Sequence, residues 1–168
     1  MAAIAFSLAG DSGQAMQLAN DLGKRFPQDT IVQFNYLPTI RAASELRDGD
    51  SGKAIRTLAA AAPYELGITA LDAGTSLYPV YLRGEAYLAA QQGSGAAAEF
   101  QKILDHPGVV QNELIGALAH LGLGRAYVLS GDTSKARAAY QDFLTLWKDA
   151  DPDVPILNEA KAEYARLQ

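Results

Sequence analysis

The chain has 168 residues and a mass of 17.8 kDa, the size of one domain with an ordinary hydrophobic core. Apolar residues make up 49% of it, and its formal net charge of −5 excludes the basic surface that attracts nucleic acids and anionic membranes. The sequence contains no cysteine, which excludes disulfides, thiolate metal sites and cysteine nucleophiles, and two histidines are too few for a histidine-rich metal centre.

A turn followed by a small residue recurs four times along the chain. Three of these turns contain Gly-Asp, at residues 10–11, 49–50 and 131–132, and the remaining one is predicted at Gly93-Ser94. The alanines that follow the turns recur at a nearly constant interval: Ala15, Ala54, Ala96 and Ala136. A period of about 40 residues is typical of arrays of helical hairpins.

The segments on both sides of each turn have the periodicity of helices. Around the last turn, apolar residues recur at three- and four-residue steps over 118–129 and again over 136–147. In the three Gly-Asp turns the glycine is a predicted helix end with left-handed backbone. The residues predicted to cap the next helix are the aspartates of these turns, with the hydroxyl residues after them as alternatives: Asp11 or Ser12, Asp50 or Ser51, and Asp132 or Thr133. Prolines are predicted to stop the second helix of each unit: Pro27, Pro63, Pro107 and Pro152.

Pro38 interrupts an apolar helical stripe that runs from about Thr30 to Arg47. Proline inside a helix removes one hydrogen bond and clashes with the preceding turn. Either the helix begins near Pro38, or it begins at Asp29-Thr30 and kinks at the proline. Apolar residues continue the stripe ahead of the proline, which favours the kinked helix: Ile31, Phe34 and Leu37.

These units resemble the tetratricopeptide repeat. The shared pattern is small-x-x-aromatic in the first helix, Gly at the turn, Ala-x-x-x-aromatic in the second helix and Pro after it. In the fourth unit it is carried by Leu123-Gly124, Tyr127, Gly131, Ala136, Tyr140 and Pro152. In the third unit it is carried by Gly84, Tyr87, Ala96, Phe100 and Pro107. The second unit matches least, because it has Ala42, Glu45 and Leu58 at these positions.

The resemblance implies an all-α fold, a right-handed superhelix of stacked antiparallel helical hairpins. The predicted units are a partial first hairpin at 1–27, hairpins at 29–63, 75–107 and 112–150, and a capping helix at 153–168. Stacked repeats need a polar cap at each end. Because the N-terminal hairpin has no such cap, a fragment of a longer protein or an oligomer is expected.

Residues 78–107 and 116–167 are also similar to the long, Ala-rich repeat regions at the C-termini of bacterial receptor-like serine/threonine protein kinases. This likeness implies a part of a larger signalling protein, although the kinase motifs themselves do not occur in the sequence. The cytoplasm is the preferred compartment, and an extracytoplasmic location fits a receptor-like protein.

The sequence predicts no catalytic site, no metal site and no cofactor. His106 and His120 have no second ligand at metal-binding spacing. Aspartates alternate at 149, 151 and 153 as in a calcium loop, but Val154 and Ala160 replace the glycine and glutamate that such a loop requires. No constellation of nucleophile, base and charge stabiliser points to an enzyme.

The resemblance implies that the first helix of each hairpin lines a concave groove. Transferring that face by phase predicts a groove of aromatic, aliphatic and singly charged residues: Tyr36, Ile40, Arg47, Tyr78, Tyr81, Glu85, Leu121 and Arg125. Glu85 and Arg125 are one repeat period apart and are predicted to share one surface with Tyr81. The opposing interpretation is that the tyrosines fill the core between helices.

The predicted function is therefore a non-enzymatic protein-interaction scaffold that binds a peptide or a partner helix in this groove. No nucleic acid partner is expected, and no segment has the ~20 apolar residues that membrane insertion requires. Two alternatives are a regulatory or sensor region of a signalling kinase and a homo-oligomerisation module that uses the uncapped N-terminal hairpin.

Overall fold

The structure is a computed structural model that describes Phe6 and residues 10–67 and 75–167. Within these ranges there are nine α-helices: α1 (Ser12–Arg25), α2 (Leu37–Arg47), α3 (Ser51–Leu58), α4 (Tyr78–Ala89), α5 (Gly93–Leu104), α6 (Pro107–Val110), α7 (Leu114–Leu129), α8 (Thr133–Leu146) and α9 (Pro155–Ala165). The same ranges contain no β-strand, and none of their helices is both long and apolar enough to cross a membrane. Apart from Phe6, the predicted first helix of the first hairpin lies outside the described residues.

The fold is an all-α solenoid of stacked antiparallel helical hairpins, as predicted. Helices α2 and α3, α4 and α5, and α7 and α8 pack together across their turns. Neighbouring pairs then stack in chain order, because α3 packs along α4 and α5 packs along α7. Helix α9 packs against α8 and continues the array beyond the last pair.

One pattern of local hydrogen bonds forms all four turns. A residue with positive φ ends the first helix of each turn: Gly10, Gly49, Gln91 and Gly131. The N–H of the next residue donates to a carbonyl five residues earlier, a bond typical of the Schellman motif. In three turns that next residue is an aspartate whose carboxylate also caps the following helix: Asp11, Asp50 and Asp132. The predicted caps at these three turns are confirmed.

The third turn lies earlier than predicted. It falls at residues 90–92, where Gln91 has a φ of 58°, and Gly93 is already the first residue of α5. A Cβ added to Gly93 would lie 2.5 Å from the Ser130 hydroxyl and 2.7 Å from the Ala126 carbonyl oxygen. This glycine therefore permits the close approach of α5 to the end of α7 and does not form the turn.

The helix that contains Pro38 begins at Thr30, well before the proline, which is the start that the favoured interpretation predicted. The Asp29 carboxylate accepts a hydrogen bond from the N–H of Val32 at 2.9 Å, which caps the helix. A π-helical segment, Val32–Tyr36, then leads directly into α2, and the Leu37 N–H donates to the Val32 carbonyl. The backbone hydrogen bonds thus change from the π-helical to the α-helical pattern immediately before Pro38, which has no N–H to donate.

The core pairs a small residue on one helix with a large residue on another. A Cβ added to Gly84 or Gly122 would come within 2.7 or 2.5 Å of the Phe100 ring, and one added to Gly124 within 2.8 Å of the Tyr140 ring. In the second unit the equivalent residues, Ala42 and Leu58, are buried in one cluster. The small residues of the repeat pattern therefore leave the space that the large side chains of the neighbouring helices occupy.

Enlarging a small residue after a turn is expected to destabilise the chain. Ala136 on α8 is completely buried, whereas Ala138 on the same helix is exposed. We expect Ala136→Leu to lower the free energy of unfolding by about 1–3 kcal/mol through overpacking. We expect Ala138→Leu to change it by less than about 0.5 kcal/mol. Equal urea midpoints for Ala136→Leu and the parent would show that the repeat phase is wrong.

A buried ionic network fixes the link after α3 to the next hairpin. The Arg83 guanidinium, 6% exposed, donates from Nη1 and Nη2 to the two carboxylate oxygens of Glu65, 0% exposed, at 3.1 Å each. It also donates to Glu99 at 2.6 Å and to the Leu58 carbonyl at 3.3 Å, and Lys102 forms an ion pair with Glu65. No signal in the sequence predicted this network, because a glutamate in a link is usually a solvated residue.

Candidate functional site

The predicted groove residues occupy three different environments. Ile40 and Leu121 are buried in hydrophobic clusters of the core, so they are not accessible to a partner in this structure. Arg47 is exposed and lies against the first turn, where a Cβ added to Gly10 would be 2.8 Å from its guanidinium. The remaining five residues, which we call the first-helix face, are partly buried: Tyr36, Tyr78, Tyr81, Glu85 and Arg125.

The tyrosines of the first-helix face are divided between core and surface. Tyr36 and Tyr78 pack against the same core cluster, and the Tyr78 hydroxyl donates to the Glu113 carboxylate at 3.3 Å. The Tyr81 ring meets the Phe100 ring edge-on, with 5.9 Å between the ring centroids. Part of each ring therefore serves the core, as the opposing interpretation proposed, and part remains at the surface.

Arg125 is bound by carboxylates of the terminal helix α9. Its Nε and Nη2 atoms donate to the two oxygens of the Glu163 carboxylate at 2.9 Å each, and Glu159 lies 3.5 Å from Nη2. The Tyr140 hydroxyl donates to the same Glu163 carboxylate at 2.8 Å. Partial burial disfavours both charges, but these bonds outweigh it, raising the pKa of Arg125 and lowering the pKa of Glu163 below its ordinary value.

Glu85 joins this cluster without an ion pair of its own. Within the described part of the chain, the carboxylates within 4.0 Å of the Arg125 guanidinium belong to Glu159 and Glu163. Burial raises the pKa of Glu85 and the nearby charge of Glu163 adds to the shift, while Arg125 and a hydrogen bond from Tyr81 oppose it. Tyr81, Glu85 and Arg125 thus lie close together, but the carboxylate that binds the Arg125 guanidinium in bidentate geometry belongs to Glu163 and not to Glu85.

Removing the charge of Glu85 is expected to stabilise the chain at neutral pH. Because folding raises the pKa of this carboxyl, its ionised form is less favourable in the folded chain than in the unfolded chain. We therefore expect Glu85→Gln to have the higher urea midpoint at neutral pH. The difference should shrink as the pH falls through the folded pKa towards the ordinary value of 4.5. A parent chain more stable than Glu85→Gln at neutral pH would contradict this sign.

An open cleft lies beside the Arg125–Glu163 pair. Its volume is about 350 Å³, and we call it the α7–α9 cleft. Its apolar side chains come from the ends of α4 and α7 and from the turn after α9: Leu88, Val128, Leu129 and Leu167. Its polar side chains include the bonded group described above: Arg125, Tyr140 and Glu163. Val128 and Leu129 are 44% and 40% exposed, which is unusual for adjacent large apolar residues on a helix.

A second apolar depression lies among α5, α6, α7 and α8. It has a volume of about 540 Å³, and we call it the α6 groove. Its lining includes Leu104, Val110, Gly116 and Leu146, and Leu146 is 59% exposed. The α6 groove includes none of the predicted site residues, so it is a suitable control surface for the α7–α9 cleft.

The two histidines have local structural contacts. The His106 Nδ1 atom lies 2.7 Å from the Lys102 carbonyl oxygen near the end of α5, so it donates to a carbonyl left unpaired there. The His120 Nδ1 atom lies 3.6 Å from the Asp142 carboxylate, and burial lowers the pKa of His120. Among the described residues no group of three or more His, Cys, Asp or Glu side chains is placed to hold a metal ion.

Comparison with protein families identifies one repeat in the chain. Residues 118–150, which include three quarters of α7 and the whole of α8, match the family model of the tetratricopeptide repeat. Repeats of this family generally mediate protein–protein interaction. Searches of curated proteins and of solved structures gave no match. The likeness to kinase repeat regions therefore remains a prediction from the sequence, as does homo-oligomerisation.

Proposed function

We propose that this chain is a non-enzymatic protein-interaction scaffold that binds an extended peptide or a partner helix in the α7–α9 cleft and along the adjoining first-helix face. The tetratricopeptide match over 118–150 supports interaction with proteins as the general role. The exposed apolar pair Val128 and Leu129 beside a cleft is the observation that carries the proposal.

The chemistry of the cleft suits burial by a partner. Leu88, Val128 and Leu129 supply apolar area, and burying such area is favourable by about 25 cal/mol per Å². Two of the charged groups are already paired, because Arg125 is bound to Glu163 in bidentate geometry. The exposed Arg166, which also lines the cleft, has no ion pair within the described part of the chain. A partner that covers the cleft therefore buries Arg125 and Glu163 as a pair, and a carboxylate on that partner would pair with Arg166.

The first-helix face extends this surface towards the preceding hairpins. Tyr81 and Glu85 lie on the same face of α4 as the cleft residue Leu88. Tyr78 lies one turn before Tyr81. The partly buried rings of Tyr78 and Tyr81 pack against the core, so little side-chain entropy is lost when a partner contacts them. Tyrosines with this combination of packing and exposure are common anchors at interfaces.

The proposal is tested with peptides selected on the chain itself. Random peptides displayed on phage are selected for binding, and the dissociation constant of the best peptide is measured for the parent and for Val128→Ser/Leu129→Ser. We expect the double variant to weaken binding at least about tenfold, which is about 1.4 kcal/mol. Because both side chains are exposed, we expect the melting temperature to change little.

Leu146→Ser is the matched control, since it removes an exposed leucine from the α6 groove instead. We expect this variant to bind the selected peptide within about twofold of the parent. Equal weakening by Leu146→Ser, or full binding by the double variant, would remove the α7–α9 cleft as the binding surface. Failure to select any peptide would count against the scaffold role.

A further inference from the structure

A polar cleft lies between helix α1 and the long helix that contains α2. Its volume is about 390 Å³, and we call it the α1–α2 cleft. Two cationic side chains, Lys24 from α1 and Arg41 from α2, line it, and both are exposed. Asn20 and Gln33 add amide groups, and the Gln33 Nε2 atom is held by a bond of 2.8 Å to the Phe26 carbonyl.

The two cations of this cleft lack carboxylate partners within the described ranges. The ion pairs of the described residues involve neither Lys24 nor Arg41, and the lining of the cleft contains no acidic residue. Two other cations of this part of the chain have partners: Arg25 pairs with Asp21 at 3.4 Å, and Lys53 pairs with Glu45 at 3.4 Å. Arg47 and Arg56 do not line the cleft. The α1–α2 cleft is therefore a local concentration of uncompensated positive charge on a chain whose net charge is −5.

The next hairpin shows what the equivalent arginine binds. Arg41 and Arg83 are separated by the same interval in the sequence as the anchor residues Ala54 and Ala96. Arg83 occupies that position on α4 and is bound by the carboxylates of Glu65 and Glu99. The residue equivalent to Glu99 in the preceding hairpin is Thr57, which has no charge. The chain thus supplies carboxylates to this arginine position in one hairpin and not in the hairpin before it.

We propose that the α1–α2 cleft binds carboxylate side chains of an acidic segment on a partner protein. An arginine guanidinium presents paired N–H groups that match a carboxylate, and the contact of Arg83 with Glu65 realises that geometry at the equivalent position. Lys24 provides a second cation for a neighbouring acidic side chain. Because both cations are exposed, a segment that presents several carboxylates gains more from the cleft than one small free acid does.

The test uses a capped tetraglutamate peptide and ¹⁵N-labelled chain at low ionic strength. We expect the peptide to shift amide resonances within residues 20–24 and 33–41, and a capped tetraglutamine peptide to leave them unchanged. The double variant Lys24→Gln/Arg41→Gln is expected to weaken tetraglutamate binding at least about tenfold. Succinate is expected to bind at least about tenfold more weakly than the peptide.

A matched control separates this site from general attraction between charges. Arg137→Gln/Lys161→Gln removes the same number of positive charges from exposed positions outside the cleft. We expect it to bind tetraglutamate within about twofold of the parent. Equal weakening by the two double variants, or shifts spread over the whole surface, would overturn the site. Succinate binding as tight as that of the peptide would overturn the assignment to a protein segment. The α7–α9 cleft uses other residues, so its failure would leave this result unaffected.

Discussion

Replacing Arg83 with methionine is expected to lower the free energy of unfolding by about 3–5 kcal/mol. The substitution keeps much of the side-chain volume but leaves the carboxylate of Glu65, which is fully buried, without its bidentate partner. Glu99 also loses its contact of 2.6 Å with the guanidinium, and Lys102 alone cannot compensate two carboxylates. An uncompensated buried charge is much more costly than the loss of an exposed ion pair.

Urea unfolding measures this loss, and Arg137→Met on an exposed face of α8 is its control. We expect the control to change the free energy of unfolding by less than about 0.5 kcal/mol. Adding Glu65→Met and Glu99→Met to Arg83→Met is expected to recover part of the loss, because the orphaned carboxylates are then removed. An Arg83→Met variant as stable as the control would show that water, and not Arg83, satisfies Glu65.

Replacing Phe100 with alanine is expected to cost about 3–5 kcal/mol. Its ring is completely buried, and two of its neighbours, Gly84 on α4 and Gly122 on α7, have no side chain that can fill the space left behind. The cavity would therefore lie where two consecutive hairpins meet. Thermal or urea unfolding of the purified variant measures the loss directly.

A double-mutant cycle tests the size matching between Gly84 and Phe100. Gly84→Ala alone is expected to cost about 1–3 kcal/mol, because its Cβ would lie 2.7 Å from the ring. In the double variant Gly84→Ala/Phe100→Leu the pair becomes the one that the second hairpin already has, Ala42 and Leu58. We therefore expect the double variant to be more stable than the sum of the two single changes predicts.

The control for the cycle is Gly52→Ala at an exposed position of α3, where the added Cβ would make ordinary contacts with the Arg56 side chain at 3.6 Å and the Asp50 carboxylate at 4.0 Å. We expect this change to be neutral or stabilising, since alanine is the better helix former. Strict additivity in the Gly84–Phe100 cycle would show that the two positions do not share the space that the structure assigns to them.

The features that the sequence predicted correctly are those that local chemistry determines. At Gly49-Asp50, for example, the glycine adopts a φ of 82° and the aspartate caps the next helix within three residues. Such signals depend on no distant part of the chain. The prediction of a turn at Gly93 was wrong because glycine occurs both where φ is positive and where two helices approach closely, and only the tertiary structure distinguishes the two cases.

The features that the sequence missed depend on side chains that come together from distant segments. The repeat period relates Glu85 to Arg125, but spacing alone does not determine which carboxylate reaches the guanidinium. That carboxylate belongs to Glu163, on a helix interpreted from the sequence only as a cap. In the same way, the position of Glu65 in a link gave no signal that Arg83 would bury it.

The binding role of the α7–α9 cleft is tested most directly by intermolecular nuclear Overhauser effects between a selected peptide and methyl-labelled chain. We predict contacts from the peptide to the methyl groups of Leu88, Val128 and Leu129, which line the cleft. Contacts confined to Leu104 and Leu146, in the α6 groove, would contradict the proposal and place the binding surface there instead.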